Sequence, residues 1–313
     1  MPRLVEIYAP ATTANLGPGF DILGMALEEP FDTICAEKTD SPGVIIDGIT
    51  GDEGRLSLDP AKNTAGISAA YALKQLGITD QGIRMTIHKG LPLASGLGSS
   101  AASAAGGAVA VNALFGDPLR RPQLLDAALE GEAAVSGRHA DNVAPALLGG
   151  IIFVGGLTPE LLEPLPVPLG LVLALVTPNV AVPTAEARAV LPQQIPMRDM
   201  VKQTASVARL ISALYRNDIE ALGKAVEADG IIEPARQHLM PGLHEVRAAA
   251  RERGAFGTTI SGAGPTLCAI CDSESIARRV TDGMELVYAR LGLACQTRVT
   301  RPASQGCRVK IIE

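Results

Sequence analysis

The sequence is poor in the aromatic rings and the clustered positive charge that nucleic-acid binding requires. Its 313 residues include no Trp, 4 Tyr and 5 Phe, and 27 Lys and Arg stand against 33 Asp and Glu, a formal net charge of −6. Proteins stack bases on aromatic side chains, and they meet the phosphate backbone with a basic face. We therefore expect no nucleic-acid partner.

Cysteine and long apolar runs are also scarce. The 5 cysteines are scattered at positions 35, 268, 271, 295 and 307, an odd number without the spacing of a disulfide framework. The run around Cys268 and Cys271 is typical of a buried strand. The longest apolar run, near 167–177, is interrupted by Pro168 and Gly170 and is too short to span a bilayer. We expect no membrane association and a cytoplasmic protein.

Segments typical of strands and of helices alternate in both halves of the chain. Strands are predicted at 3–9, 30–37, 43–48, 83–88, 149–155, 171–177, 257–260, 266–271, 294–300 and 307–312. Helices are predicted at 62–77, from Ser99 to about Phe115, and at 122–136, 184–191, 197–215, 218–228, 241–253 and 273–291. Residues 156–170 are rich in Pro and Gly and mark a boundary. We expect two domains, 1–160 and 161–313, in an α+β protein.

The strongest local signal is the segment Gly96-Leu97-Gly98-Ser99-Ser100, which leads into a predicted helix. Glycine lets a backbone approach a ligand closely, and a serine can cap the helix. The free N–H groups and the partial positive charge of a helix N-terminus suit an anion such as phosphate. The segment matches neither a Walker A loop nor G-x-G-x-x-G. An ordinary glycine-rich turn with a serine cap is the alternative.

Two further glycine-rich loops favour phosphate binding over an ordinary turn. They run from Thr12 to Asp21 (Thr-Thr-Ala-Asn-Leu-Gly-Pro-Gly-Phe-Asp) and from Ser261 to Thr266 (Ser-Gly-Ala-Gly-Pro-Thr). Each follows a predicted strand and carries polar residues among apolar neighbours. Binding residues are often placed on loops of this kind.

These three loops resemble motifs 1, 2 and 3 of the GHMP kinases, the small-molecule kinases that include galactokinase, homoserine kinase, mevalonate kinase and phosphomevalonate kinase. They follow in the family order over nearly the whole chain. The segments Pro10 to Asp21, His139 to Pro145 and Glu233 to Arg236 are similar to the homoserine kinase branch. The resemblance implies an N-terminal domain like the second domain of ribosomal protein S5 and a ferredoxin-like C-terminal domain. It also implies transfer of the ATP γ-phosphate to the side-chain hydroxyl of L-homoserine, a step towards threonine.

The resemblance implies where ATP and Mg²⁺ would bind. Asn63 would lie at the adenine, although a helix cap is its alternative role. The phosphates would contact Pro92, Leu93, Ala94, Ser95, Gly96, Leu97, Gly98, Ser99, Ser100, Ala101 and Ala102. Magnesium prefers hard oxygen ligands, here Ser100 and Glu132. The chain is one residue shorter than the family pattern between Glu132 and His139, so Glu130 stays an alternative ligand.

The same resemblance implies an amino-acid site. It would comprise Asn15, Asp21, His139, Asn142, Thr184, Arg188, Arg236 and Gly262. A guanidinium pairs a carboxylate through two hydrogen bonds, so Arg188 and Arg236 would bind the substrate carboxylate and Asp21 its ammonium. The catalytic candidates are Asn142, Asn15, His139 and Asp141. Related kinases use an Asp as general base, whereas this resemblance favours Asn142 at the hydroxyl without a dedicated base, and leaves the role of Asp141 open.

Three other functions would explain parts of this pattern less well. A sister kinase acting on mevalonate or a sugar alcohol would have no ammonium for Asp21 to bind. A non-catalytic nucleotide sensor would be expected to lack the metal carboxylate or the second serine of the phosphate loop, and both are present. A generic α+β protein would have to carry all three loops by chance. Small-molecule substrates and a homodimer are the partners that the resemblance implies.

Overall fold

The computed structural model describes residues 2–312 as two β-sheets with helices packed on them. The strands are β1 (Leu4–Ala14), β2 (Leu23–Thr39), β3 (Gly43–Thr50), β4 (Gly82–His88), β5 (Ile151–Val154), β6 (Leu162–Leu165), β7 (Val172–Pro178), β8 (Gly257–Ile260), β9 (Leu267–Cys271), β10 (Cys295–Thr300) and β11 (Arg308–Ile311). The helices are α1 (Thr64–Gln75), α2 (Ser99–Leu114), α3 (Leu125–Ala133), α4 (Ala140–Leu148), α5 (Thr184–Ala189), α6 (Met197–Tyr215), α7 (Ile219–Val226), α8 (Ile232–Arg236), α9 (Leu243–Glu252) and α10 (Glu274–Arg290).

The first sheet has seven strands, and its strands β1 and β2 pack against the central helix α2. Its order is β11-β1-β2-β4-β3, with β5 paired to β2 and β6 paired to β5. Every residue of α2 except Ser100 is buried. Small side chains permit this close packing: a Cβ on Gly107 would lie 2.4 Å from the carbonyl oxygen of Ala65 in α1. The first turn of α2 is thereby held at a fixed place in the fold.

The second sheet has four antiparallel strands in the order β10-β7-β9-β8. Helices α5 to α9 connect β7 to β8, and α10 connects β9 to β10. This β-α-β-β-α-β arrangement is the ferredoxin-like topology, as expected for the C-terminal half. Cys268 and Cys271 are buried free thiols in β9, which confirms the predicted buried strand. Within residues 2–312, no helix is both long enough and apolar enough to cross a membrane.

The sheets do not part at the 160/161 division. Strand β6 lies inside the expected boundary segment 156–170 and pairs with β5. Strand β11 returns from the end of the chain to β1, where Ile311 faces Val5. Strands from both sides of the 160/161 division therefore complete the first sheet, and a domain boundary at this point stays a proposal.

Two helices that shape the site were not predicted, and each contains a proline. Helix α4 carries Pro145, and α8 carries Pro234. The predicted helix 122–136 is a 3₁₀ turn at 121–124 followed by α3. By contrast, α6 and β8 have the predicted bounds, 197–215 and 257–260.

Candidate active site

Loops from both sheets meet at a cavity of about 410 Å³. The predicted site residues that line it are Asn15, Asp21, Asn63, Leu93, Ala94, Ser95, Gly96, Gly98, Ser99, Ser100, Glu132, His139, Asp141, Asn142, Thr184, Arg188, Arg236 and Gly262. Four predicted members of the phosphate loop, Pro92, Leu97, Ala101 and Ala102, do not belong to the lining. Of these, Leu97, Ala101 and Ala102 are packed in the core instead.

The three glycine-rich loops are joined to one another by hydrogen bonds. The backbone N–H of Thr12 donates to the Leu97 carbonyl at 3.1 Å, which links the first loop to the second. The Ser261 hydroxyl donates to the Gly96 carbonyl at 2.7 Å, which links the third to the second. The Gly262 N–H donates to the Ala14 carbonyl at 3.3 Å. Segments far apart in the chain therefore form one rigid rim.

The phosphate loop ends at a helix N-terminus without a side-chain cap. The N-cap of α2 is Gly98, in the left-handed conformation with φ 67°, while Ser99 and Ser100 belong to the helix. The expected serine cap is therefore wrong: the chain turns into α2 through a conformation that favours glycine. The N–H groups of the first turn are left for a ligand, and the buried Ser99 hydroxyl has no hydrogen-bond partner among the described residues.

Glu132 is the carboxylate that faces this loop. Its Oε1 accepts hydrogen bonds from the Ser100 hydroxyl, at 3.0 Å, and from Ser136. Its Oε2 is buried and has no partner among residues 2–312, and burial raises the pKa of the carboxyl. Glu130 instead pairs with Arg138 on the surface and lies outside the cavity lining.

Another part of the cavity lining carries paired charges. Arg188 donates to both carboxylate oxygens of Asp21, at 2.7 and 3.1 Å. The imidazole Nδ1 of His139 lies 3.9 Å from Asp21 Oδ2. Burial and the nearby Arg188 charge lower the pKa of His139, which favours the neutral ring. Thr184, the first residue of α5, lies one turn before Arg188.

Arg236 is held from two directions beside this pair. Its Nε donates to the Ala187 carbonyl and its Nη1 to the Gly262 carbonyl, both at 2.9 Å. The ring of Phe20 lies 5.3 Å from the guanidinium carbons of both Arg188 and Arg236. Sequence analysis gave Phe20 no role, although it stands inside the first loop immediately before Asp21. A ring face attracts cations, so Phe20 favours the approach of two like charges.

Polar side chains complete the cavity between its two ends. The Asn15 amide donates to the Gly262 carbonyl at 2.9 Å, and its oxygen accepts the Asp21 N–H at 3.1 Å. Asn142 Oδ1 accepts the Thr12 hydroxyl at 2.7 Å. The adjacent Asp141 is buried, and burial followed by the Asp21 charge raises its pKa to about 7.

Asn63 and Lys89 lie at the phosphate-loop end. Asn63 caps α1, accepting the Ala65 N–H at 3.0 Å, and it also lines the cavity. The helix-cap role is therefore real and does not remove Asn63 from the site. Lys89 lines the cavity too and is paired with Asp32. Sequence analysis missed this pair, since 57 residues separate its members and neither belongs to a motif.

The geometry defines two kinds of binding chemistry in one cavity. One end offers free backbone N–H groups, two serine hydroxyls and a buried carboxylate, which suit a phosphate chain with a divalent cation. The other end offers two guanidinium groups and a carboxylate, which suit a small molecule with a negative and a positive group. Among residues 2–312 there is no group of three or more His, Cys, Asp or Glu that could hold a metal ion.

Comparisons with known proteins agree with this arrangement. The description "GHMP kinases N terminal domain" matches residues 63–150, and "GHMP kinases C terminal" matches residues 210–290. The chain is 47% identical over 293 residues to a homoserine kinase of Arabidopsis thaliana, covering 92% of this chain and 79% of that protein. It is 40% identical over 299 residues to the homoserine kinase of Chloroherpeton thalassium, covering 92% and 93%. The crystal structure of homoserine kinase from Cytophaga hutchinsonii superposes with a TM-score of 0.94 at 40% identity, covering 99% and 98%.

Proposed function

This chain belongs to the homoserine kinases of the GHMP kinase family, and on that premise we propose that it phosphorylates L-homoserine. The γ-phosphoryl group of ATP is transferred to the side-chain hydroxyl, giving O-phospho-L-homoserine for threonine biosynthesis. One observation carries the proposal: a single cavity joins an uncapped helix N-terminus to the Arg188–Asp21 pair and Arg236. Mevalonate and sugars carry no ammonium for Asp21 to bind.

ATP binds with its phosphates on the loop that precedes α2. The N–H groups of the first turn of α2 and the partial charge of the helix favour the phosphates. Asn63 and the residues near it on the cavity wall bind the adenine. Rigid donors of this kind stabilise charge on a transferring phosphoryl group without reorganisation.

Magnesium fits the residues beside that loop. The unpartnered Oε2 of Glu132 and the hydroxyl of Ser100 are hard oxygen donors at one place in the cavity wall. A site with few protein ligands suits Mg²⁺, which keeps several waters and shares phosphate oxygens. When bound, the ion would neutralise charge on the phosphates.

Homoserine binds at the charged end of the cavity. Its carboxylate pairs with Arg188 and Arg236, its ammonium with Asp21, and its side chain extends towards the phosphate loop. Asn15, His139, Asn142, Thr184 and Gly262 position the amino acid and its hydroxyl. Phosphoryl transfer depends mainly on positioning and on charge stabilisation, so these contacts supply much of the catalysis.

No dedicated carboxylate base is assigned to the hydroxyl. Asn142 orients it, and the neighbouring Asp141 is the alternative. The Asp141 pKa of about 7 would suit a general base at neutral pH. Loss of several orders of magnitude in kcat in Asp141→Asn, with KM for homoserine unchanged, would assign the base to Asp141.

The deciding experiment measures ADP release with MgATP and L-homoserine, L-threonine, L-serine, mevalonate or galactose. We expect turnover on L-homoserine, and an Arg236→Leu variant with kcat/KM for homoserine lowered about 100-fold or more, because a buried cationic partner is lost. Arg251→Leu, on the exposed surface, is the matched control. Preference for mevalonate or galactose would overturn the substrate, and ATP binding without any turnover would favour a sensor.

A homodimer and a cytoplasmic location are proposed from the family alone. Sedimentation analysis of the purified protein measures the first, and fractionation of cells that express it measures the second.

A further inference from the structure

We propose that Lys89 and Asp32 are positioning residues that hold the two ends of the ATP phosphate loop at a fixed distance. The Lys89–Asp32 clamp is defined here as Lys89, Asp32 and Ser103. This inference rests on the proposed function, because it takes the loop before α2 as the phosphate site.

The clamp is entirely buried beneath the loop. The side chains of Lys89 and Asp32 are 1% and 0% exposed and form an ion pair. Such a pair is costly to remove from water unless hydrogen bonds satisfy its remaining donors and acceptors. Here they do: the backbone N–H groups of Gly90 and Leu91, the Ser99 carbonyl and the Ser103 hydroxyl supply these bonds.

Asp32 holds the beginning of the loop. Its Oδ1 accepts the backbone N–H groups of Gly90 and Leu91, each at 3.0 Å. These residues lead directly into the loop, and Asp32 itself lies in β2, so the loop entrance is fixed to the first sheet.

Lys89 holds the end of the loop. Its ammonium donates to the carbonyl of Ser99, the first residue of α2, at 2.9 Å and to the Ser103 hydroxyl at 2.7 Å. Ser103 in turn donates to Asp32 Oδ2 at 3.3 Å. The start of α2 is therefore tied to the same carboxylate that holds the loop entrance.

Lys89 acts through this geometry and does not contact the phosphates. A lysine ammonium has three N–H donors. Asp32, the Ser99 carbonyl and Ser103 take one each. Lys89 lines the cavity, but none of its donors remains for a phosphate oxygen, which distinguishes it from the lysine of a Walker A loop.

The test is a double variant, Lys89→Met with Asp32→Asn. Either replacement alone would leave an unpaired buried charge, whereas the double variant is neutral and close in shape. The amide oxygen introduced at position 32 still accepts the Gly90 and Leu91 N–H groups, but the bond to the Ser99 carbonyl is lost. Ser68→Ala is the matched control, since Ser68 donates to the Ala104 carbonyl at 2.6 Å from a buried position at the flank of α2.

Binding of MgADP and of adenosine is measured by calorimetry for each protein. We expect the double variant to bind MgADP about tenfold more weakly, the effect of losing a charge-assisted hydrogen bond, and to bind adenosine unchanged. The control should bind both as the unmodified protein does. Ser103→Ala keeps the ion pair and removes one ammonium partner; we expect a smaller loss, of about threefold, again confined to MgADP.

Several outcomes overturn the clamp. If the double variant binds MgADP as tightly as the unmodified protein does, the phosphate loop does not need the clamp. If the double variant does not fold, unchanged MgADP affinity in Ser103→Ala leads to the same conclusion. An equal loss for adenosine shows general damage. Homoserine turnover by the unmodified protein is assayed separately: its absence, with a selective MgADP loss in the variant, overturns the substrate and leaves the clamp. If the unmodified protein does not bind MgADP, both the clamp and the proposed kinase function are overturned.

Discussion

Arg188 donates to both oxygens of Asp21, with Nη2 2.7 Å from Oδ1 and Nη1 3.1 Å from Oδ2. The two residues are 167 positions apart in the chain, one in α5 and the other in the loop that follows β1. Neighbouring opposite charges can bind the ammonium and the carboxylate of one amino acid, so this pair favours an amino acid as the substrate.

Homoserine analogues test the roles of this pair. The unmodified protein should prefer L-homoserine to 4-hydroxybutyrate, which lacks the ammonium, by about 100-fold in kcat/KM, since Asp21 would then lose its hydrogen bond to the substrate ammonium. In Asp21→Asn that preference should fall at least about tenfold. The surface variant Asp126→Asn is the control, and an unchanged preference in Asp21→Asn would contradict the assignment.

Glu132 and Glu130 offer a direct comparison of candidate metal ligands. We expect Glu132→Gln to raise the Mg²⁺ concentration required for activity and to lower kcat/KM for MgATP about 100-fold, because the amide carries no charge for the cation. Glu130→Gln should be nearly unchanged, since Glu130 pairs with Arg138 outside the cavity. Titration of activity with Mg²⁺ measures both, and the opposite ranking would reassign the ligand.

Phe20 is expected to affect homoserine binding but not ATP binding. Phe20→Leu keeps an apolar side chain and removes the ring that lies near both guanidinium groups, a contact worth about 1 kcal/mol for each cation. The KM for homoserine should rise about tenfold, while the KM for MgATP stays unchanged. Phe20→Tyr retains the ring and serves as the control; an equal effect in both variants would point to packing instead.

Asp141 should make the protein less stable as the pH rises. Its pKa is raised from 3.8 to about 7, so between these values the folded protein binds a proton that the unfolded chain releases. The free energy of unfolding therefore falls with pH over this interval and is constant above it. Relative to about pH 4, Asp141→Asn should gain up to about 4 kcal/mol over the unmodified protein at about pH 8. Denaturant unfolding at several pH values measures the difference in unfolding free energy between the variant and the unmodified protein. If the Asp141 carboxyl has an ordinary pKa, this difference should not grow between about pH 4 and pH 8.

The site could be predicted wherever its residues lie in contiguous motifs. The loops that carry Asn15, Gly98 and Gly262 were found because glycine and polar residues stand together in the sequence. A different local signal, the regular spacing of apolar residues over 197–215, identified α6. The family resemblance then supplied the proposed roles of Arg188 and Arg236, of which only Arg236 lies in a segment that resembles the family, Glu233 to Arg236.

Two kinds of feature could not be predicted from the sequence: contacts between distant segments, and helices that form although they contain a proline. Lys89 and Asp32 become partners only when β2 and β4 pair, as they do where Thr33 faces His88. Helix α8 forms around Pro234 because Asp229 accepts the N–H groups of its first turn, including that of Glu233 at 2.9 Å. Such a cap is not visible as a pattern of apolar residues.

The return of β11 to β1 has a consequence for synthesis of the protein on the ribosome. While the C-terminal half is still being made, β1 has β2 on one side and an open edge on the other, because its partner residues 308–311 emerge after every other strand. An open strand edge is a template for pairing with another chain. The nascent protein therefore presents an open strand edge until residues 308–311 emerge, and their removal should leave that edge of β1 exposed in the folded protein.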